Sequence, residues 1–170
     1  GTNNVGVGDN TLGANTTAVN NTAVGSQALA ANTTGAENIA VGAEALDANT
    51  TGAENVAVGY GSLSNATTAS YNVAVGKSSL GSSTTGTQNT AIGKGVLDAS
   101  TTASYNTGVG YQALSANTTA QENAAFGTDA LLAVTTGGRN TALGAYTLTT
   151  STDGTENTAV GRQSLYTNST

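Results

Sequence analysis

The chain has 170 residues, of which 8% are charged against ~25% in typical globular domains, and its net charge is −6. Cys, His, Pro, Met and Trp are all absent, which excludes disulfides, cysteine metal sites and the usual histidine general base. Four basic residues (Lys77, Lys94, Arg139 and Arg162) are too few to neutralise a phosphate backbone, so no nucleic acid is expected as a partner.

No apolar run approaches the ~20 residues that a membrane helix needs, and the start carries no signal-peptide pattern, so no membrane insertion is expected. Abundant Asn, Thr, Ser and Gly would suit a disordered low-complexity segment, but the apolar residues are strictly periodic, which argues for a fold.

In chain order, one unit restarts at Asn4, Asn21, Asn38, Asn55, Asn72, Asn89, Asn106, Asn123, Asn140 and Asn157, every 17 residues without insertion or deletion. Residues 1–170 therefore read as a single uninterrupted repeat array. A fixed period of this length marks a solenoid, whose units bury their faces only by stacking. Helical repeats need roughly 33 to 47 residues, so the array is expected to be all-β, a parallel β-solenoid of ten 17-residue coils without capping units.

With the Asn as position 1, positions 1–4 read as a short strand rich in Val, Ile and Thr. Position 5 is always glycine, from Gly8 through Gly25, Gly42, Gly59 and Gly76 to Gly161, and predicts a corner with positive φ or close backbone approach. Position 9 is always leucine, including Leu29, Leu46, Leu63, Leu80, Leu97 and Leu114. Positions 7–9 and 11–14 are expected to supply one or two further strands. Position 15 is expected to be a second turn, and alanine there in some copies argues against an obligatory positive φ. Alternation is expected to point the branched residue of position 4 inward with the leucine, and the small residue of position 3 outward. Asn21, Asn38, Asn55, Asn72, Asn89, Asn106, Asn123 and Asn140 are expected to form an amide ladder, and the threonines of positions 13 and 14 β-branched ladders. Two large aliphatics per coil make a thin core, so homotrimerisation through the alanine face is expected to supply further burial.

Sites were sought along the same columns. The acidic residues are dispersed, so no catalytic constellation, metal site or cofactor is expected. Glu37 and Glu54, one coil apart, read as solvated turn carboxylates in preference to a shared cation site. Tyr60 and Tyr111 share position 6, and Tyr71 and Tyr105 share position 17; Tyr146 and Tyr166 stand alone, and this spread favours surface decoration over a glycan-stacking patch. Asn15, Asn32, Asn49 and Asn117, with Asn168, form a column of glycosylation sequons at position 12, joined by Asn20 and Asn65, and read as a turn-side column that precedes threonine in preference to a glycosylated one. An ice-binding face would need two outward columns two residues apart, which alternation makes positions 12 and 14. Position 12 is never threonine, a poor match.

The run Asn21-Thr22-Ala23-Val24-Gly25-Ser26-Gln27-Ala28-Leu29, followed by Asn32-Thr33-Thr34-Gly35, resembles two related repeats. One is the N-S-V-A-I-G-x-x-S repeat of YadA-like heads in trimeric autotransporter adhesins. The other is the N-T-A-V-G-x-x-A-L…N-T-T-G repeat of phage tail fibres and bacterial surface fibres. The resemblance covers essentially the whole chain and implies a left-handed β-roll, three of which associate side by side. The head repeats are usually shorter than 17 residues, and within residues 1–170 no stretch is expected to form a stalk, neck or anchoring barrel.

The sequence thus points to a non-enzymatic structural fibre or filament segment that is extracellular, on a cell surface or on a virion. Its expected partner is itself, as a homotrimer, an end-to-end filament or both, with a host receptor or glycan as a further candidate. The alternatives are an ice-binding β-solenoid using Thr/Asn ladders and a receptor- or glycan-binding module. Beginning at Gly1, and with Ser169-Thr170 continuing in phase into Gly1-Thr2-Asn3-Asn4, the chain reads as a segment of something continuous.

Overall fold

A computed structural model describes residues 1–168, so Ser169 and Thr170, the last members of the threonine columns, lie outside the described residues. Ten three-residue strands follow one another: β1 (Val5–Val7), β2 (Thr22–Val24), β3 (Ile39–Val41), β4 (Val56–Val58), β5 (Val73–Val75), β6 (Thr90–Ile92), β7 (Thr107–Val109), β8 (Ala124–Phe126), β9 (Thr141–Leu143) and β10 (Thr158–Val160). All pair in parallel and in sequence order, forming one ten-stranded sheet. The register advances by one repeat at every step, as in Ile39 opposite Val56 and Val41 opposite Val58. No helix is present among the described residues. The chain is a β-solenoid, as its period requires.

The glycine corner has a physical cause on both counts. Gly42 has φ 137°, where an L side chain is strained, and a Cβ built on it would stand 2.6 Å from the Gly59 carbonyl oxygen of the next coil. The further strands expected at positions 7–9 and 11–14 do not form. Positions 7 and 9 lie in the left-handed region, as at Gln27 (φ 61°) and Leu29 (φ 51°), and this breaks the extended run. Backbone bonds still join coil to coil there: the Leu29 N–H donates to the Ala45 carbonyl at 3.0 Å and the Thr33 N–H to the Thr50 carbonyl at 3.0 Å. Turns therefore carry the ladder round the coil. Position 15 glycines have no positive φ, and alanines share their buried place, as at Ala69 and Ala103.

The phase of the strand is the reverse of the one expected. The alanine of position 3 points inward and is fully buried at Ala40, Ala57, Ala74, Ala91, Ala125 and Ala142. Positions 2 and 4 point outward, leaving Ile39, Val41, Ile92, Phe126, Leu143 and Val160 exposed. The asparagine at position 1 fixes this choice. It is buried, and its Nδ2 donates across the coil to the position 15 carbonyl, as Asn38 does to Gly52 at 2.9 Å. With position 1 inward, position 3 must follow it inward and positions 2 and 4 must face out. The leucine of position 9 occupies the remaining interior, fully buried from Leu29 to Leu148. The alanine face is thus inside, and the association expected through it has no exposed alanine face to use.

Candidate functional site

The outward face of the sheet runs the length of the described chain. Each strand presents two side chains, so the face carries one column from Val5, Thr22, Ile39, Val56 and Val73 to Thr158, and another from Val7 through Val75, Ile92 and Phe126 to Val160. The second column is entirely aliphatic or aromatic. Exposure is substantial for such side chains: 42% at Ile39, 50% at Leu143 and 65% at Val160. At about 4.8 Å per coil the stripe is on the order of 43 Å long.

Two further exposed columns border it. Before each strand lies position 17 (Asn3, Asn20, Glu37, Glu54, Tyr71, Gln88, Tyr105, Glu122, Arg139 and Glu156), every member exposed and in the left-handed conformation. After each strand, past the glycine corner, lies position 6 (Asp9, Ser26, Ala43, Tyr60, Lys77, Lys94, Tyr111, Thr128, Ala145 and Arg162). The first border holds four glutamates and one arginine among its ten residues, and the second holds three of the four basic residues.

Side chains on each border interact along the axis. Arg139 Nε donates to Glu122 Oε2 at 3.0 Å and Nη1 to Glu156 Oε1 at 3.1 Å, bridging three coils. Its hydrogen bond to Glu122, then that to Glu156, holds the guanidinium above its ordinary pKa. This triad rims an open dent of about 320 Å³ over Gly138, where the neighbouring coils carry Gln121 and Thr155. On the other border Lys77 Nζ lies 5.6 Å from the centre of the Tyr60 ring and Lys94 Nζ 5.6 Å from that of Tyr111. Arg162 sits 5.9 Å from the ring of Tyr146, which belongs to position 7. A hydrogen bond with Glu44 raises the Tyr60 hydroxyl above its usual range. The two lysines stand on adjacent coils, each leaning over its own tyrosine. Sequence reading separated Tyr60 from Tyr111 by three coils and missed that Lys77 and Lys94 fill the gap in the same column.

The remaining candidates lie inside the coil. Asn21, Asn38, Asn55, Asn72, Asn89, Asn106, Asn123 and Asn140 are buried in one column. Each Oδ1 accepts the backbone N–H one coil on, as Asn72 Oδ1 does from Asn89 at 3.0 Å, and each Nδ2 reaches a position 15 carbonyl, as Asn72 does Gly86 at 2.9 Å. This column ties the start of each strand to the turn 14 residues later in the same coil, and its polar groups are spent within the fold. Gly25, Gly42, Gly59 and Gly76 form the corner, and Leu29, Leu46, Leu63, Leu80, Leu97 and Leu114 the core.

The position 12 sequons are turned inward. Asn32, Asn49 and Asn117 are fully buried, and Asn49 Nδ2 donates to Asn32 Oδ1 and to the Gly52 carbonyl, both at 3.0 Å. Asn15 is half-buried in the same column. The side-chain nitrogens of the buried three are therefore inaccessible in the folded chain. The same inward turn removes the pairing of positions 12 and 14 on which an ice-binding face was drawn. Position 14 is exposed from Thr17 to Thr136, but the neighbouring position 13 hydroxyls donate to the backbone, as Thr33 Oγ1 does to the Thr50 carbonyl at 2.9 Å. Glu37 and Glu54 are exposed, and among the described residues no group of three or more His, Cys, Asp or Glu is placed to hold a metal ion. Among those residues no helix is long and apolar enough to cross a membrane. Comparison with protein-family models, with characterised proteins and with solved structures finds no match.

Proposed function

We propose that the chain is a structural, non-enzymatic segment of an extracellular fibre. In this reading it is a rod whose outward sheet face associates side by side with further copies, as a homotrimer. One observation carries the reading: two columns of mainly branched side chains point outward on all ten strands and stay exposed or half-buried, none of them fully buried. Exposed apolar surface in one contiguous stripe marks an interaction site rather than ordinary surface. The resemblance of the repeats to adhesin heads and surface fibres, and the commitment of the asparagine and leucine columns to the fold itself, support the same reading.

Sedimentation equilibrium tests it. The chain is expected to sediment as a trimer at micromolar concentration. Val75→Glu combined with Ile92→Glu, both on the outward face, is expected to give a monomer with an unchanged far-ultraviolet circular dichroism spectrum. A stable, folded monomer of the unsubstituted chain at the same concentration overturns the reading.

A further inference from the structure

We infer that the middle of the rod carries a binding site for an acidic glycan, built on the position 6 column by Tyr60, Lys77, Lys94 and Tyr111. All four residues belong to one chain, so the site goes beyond the side-by-side association proposed above and does not depend on it.

Charge is distributed unevenly along the axis. Residues 55–121 hold both lysines and a single carboxylate, Asp98, for a net +1, whereas the rest of the chain holds Arg139, Arg162 and nine carboxylates, for −7. The same stretch carries four of the six tyrosines. On the position 17 border it presents Tyr71, Gln88 and Tyr105, where the coils on either side present Glu54 and Glu122. An acidic rod is thus interrupted at mid-length by a belt that is cationic on one border and uncharged on the other.

Within the belt the fold gives the lysines no partner of opposite charge. They sit on adjacent coils about 4.8 Å apart, a spacing at which like charges repel. Among the described residues the ion pairs are those of Arg139 alone. Each ammonium instead lies over a ring, Lys77 5.6 Å from the centre of Tyr60 and Lys94 5.6 Å from that of Tyr111, and so turns away from the other lysine. The rings themselves stay open to solvent, 50% exposed at Tyr60 and 46% at Tyr111. Ring, cation, cation and ring therefore follow one another over three coil steps, about 14 Å.

This row matches a saccharide chain that bears acidic groups. The ammoniums pair with its carboxylates or sulfates, and the electron-rich ring faces stack on the C–H faces of the flanking sugars. Other anionic partners fit less well. Backbone N–H groups here bond coil to coil, as Ser78 does to the Tyr60 carbonyl and Gly95 to the Lys77 carbonyl, both at 3.0 Å, so an acidic peptide finds no free strand edge to extend. Two lysines fall short of the ~4–8 basic residues that dock a protein on an anionic membrane, and of the charge that holds a nucleic-acid backbone.

Isothermal titration of the chain at low salt tests the inference with heparin oligosaccharide, hyaluronate oligosaccharide, neutral dextran, polyphosphate and oligothymidylate. Binding of heparin, hyaluronate or both is expected, the first marking sulfate and the second carboxylate recognition. Dextran is expected not to bind, and polyphosphate and oligothymidylate to bind more weakly than the glycan. Lys77→Glu combined with Lys94→Glu is expected to abolish binding, and Lys77→Arg combined with Lys94→Arg to keep it. Tyr60→Ala and Tyr111→Ala are each expected to weaken it roughly two- to tenfold, the range of one aromatic contact, while Tyr60→Phe and Tyr111→Phe preserve it. All four side chains are exposed, and an unchanged circular dichroism spectrum separates loss of the site from loss of the fold. The inference is overturned if the folded chain binds neither acidic glycan, or binds polyphosphate or oligothymidylate as tightly. It is equally overturned if the lysine reversals or the alanine substitutions leave the affinity unchanged. Sedimentation of the same samples reads the side-by-side association separately, so either proposal can fail alone.

Discussion

Coil 6 differs from the others in its core, and the difference makes a sharp test of the inward alanine column. Position 8 of this coil reaches position 3 of the next, where Val96 stands against Gly108, while the corresponding positions elsewhere hold Ala28 and Ala40, Ala45 and Ala57, Ser62 and Ala74, and Ala113 and Ala125. Val96 is fully buried, and a Cβ built on Gly108 would stand 2.5 Å from Val96 Cγ1. Carbon atoms prefer a separation of about 3.5–4.0 Å, so Gly108→Ala creates an overlap of about 1 Å. Gly108 has no positive φ, so alanine is allowed by the backbone and contributes ~0.5–1 kcal/mol by restricting the unfolded chain. Overpacking of this kind costs about 1–3 kcal/mol. The net expectation is a loss on the order of 1 kcal/mol.

Val96→Ala alone removes two methyl-sized groups at ~0.8 kcal/mol each and leaves a cavity, for a loss of about 2 kcal/mol. The double variant recreates the pairing of Ala28 with Ala40 and is expected to lie within ~1 kcal/mol of the parent. Additivity would put it ~3 kcal/mol below, so the coupling is about 2 kcal/mol, well within what touching residues show. Urea denaturation followed by circular dichroism, at one fixed protein concentration so that self-association does not vary, measures all four chains. If Gly108→Ala alone is neutral or stabilising, or if Val96→Ala fails to rescue it, position 3 does not face a filled interior and the packing described here is wrong.

Other substitutions probe the remaining columns. Leu63→Ala is expected to cost ~2.7–5 kcal/mol in the same denaturation assay, since Leu63 is fully buried. Asn72→Asp exchanges the donor to the Gly86 carbonyl for a buried acceptor and is expected to cost on the order of 3 kcal/mol at pH 7, with part of the loss recovered in acid as the new carboxyl is protonated. Asp47 is half-buried, and burial raises its carboxyl above the ordinary value of 3.8. The folded chain therefore binds that proton more readily than the unfolded one, and stability falls as pH rises from about 3.8 through the raised value. Asp47→Asn is expected to stabilise at pH 7 by less than ~1 kcal/mol, with the gain vanishing below about pH 4, as thermal melts across that range will show. Arg139→Gln, which breaks an exposed triad, is expected to leave the urea midpoint nearly unchanged, with any difference shrinking further in 1 M salt.

Much of this architecture is legible in the chain because a solenoid is a periodic object. The 17-residue spacing of Asn21, Asn38 and Asn55 dictates the parallel register, since any other offset would misalign every column at once. Glycine at position 5 announces a corner that a side chain cannot occupy, and Leu29 and its column announce the core. Gly108 and Val96 were also readable as a matched pair, twelve residues apart, once position 8 is known to touch position 3 of the next coil. The turns were harder. Leu29 and Gln27 adopt positive φ although neither residue type favours it, and that follows from closing a narrow coil rather than from local preference.

The face of the strand is where sequence and tertiary structure part. Alternation in Val56-Ala57-Val58 states that the valines share one side and the alanine takes the other, but a period of two is indifferent to which side is the interior. Size suggests that the valines are buried. The coil decides otherwise, because its interior at that height is already taken by Leu63 and the inward side chain of Asn55, whose Nδ2 reaches the Ala69 carbonyl at 2.8 Å. Position 3 is accordingly small in every coil, alanine or, at Gly6 and Gly108, glycine. The sequence alone determined the period, the register and the columns; closing the coil around a hydrogen-bonded asparagine determined that the valines face outward.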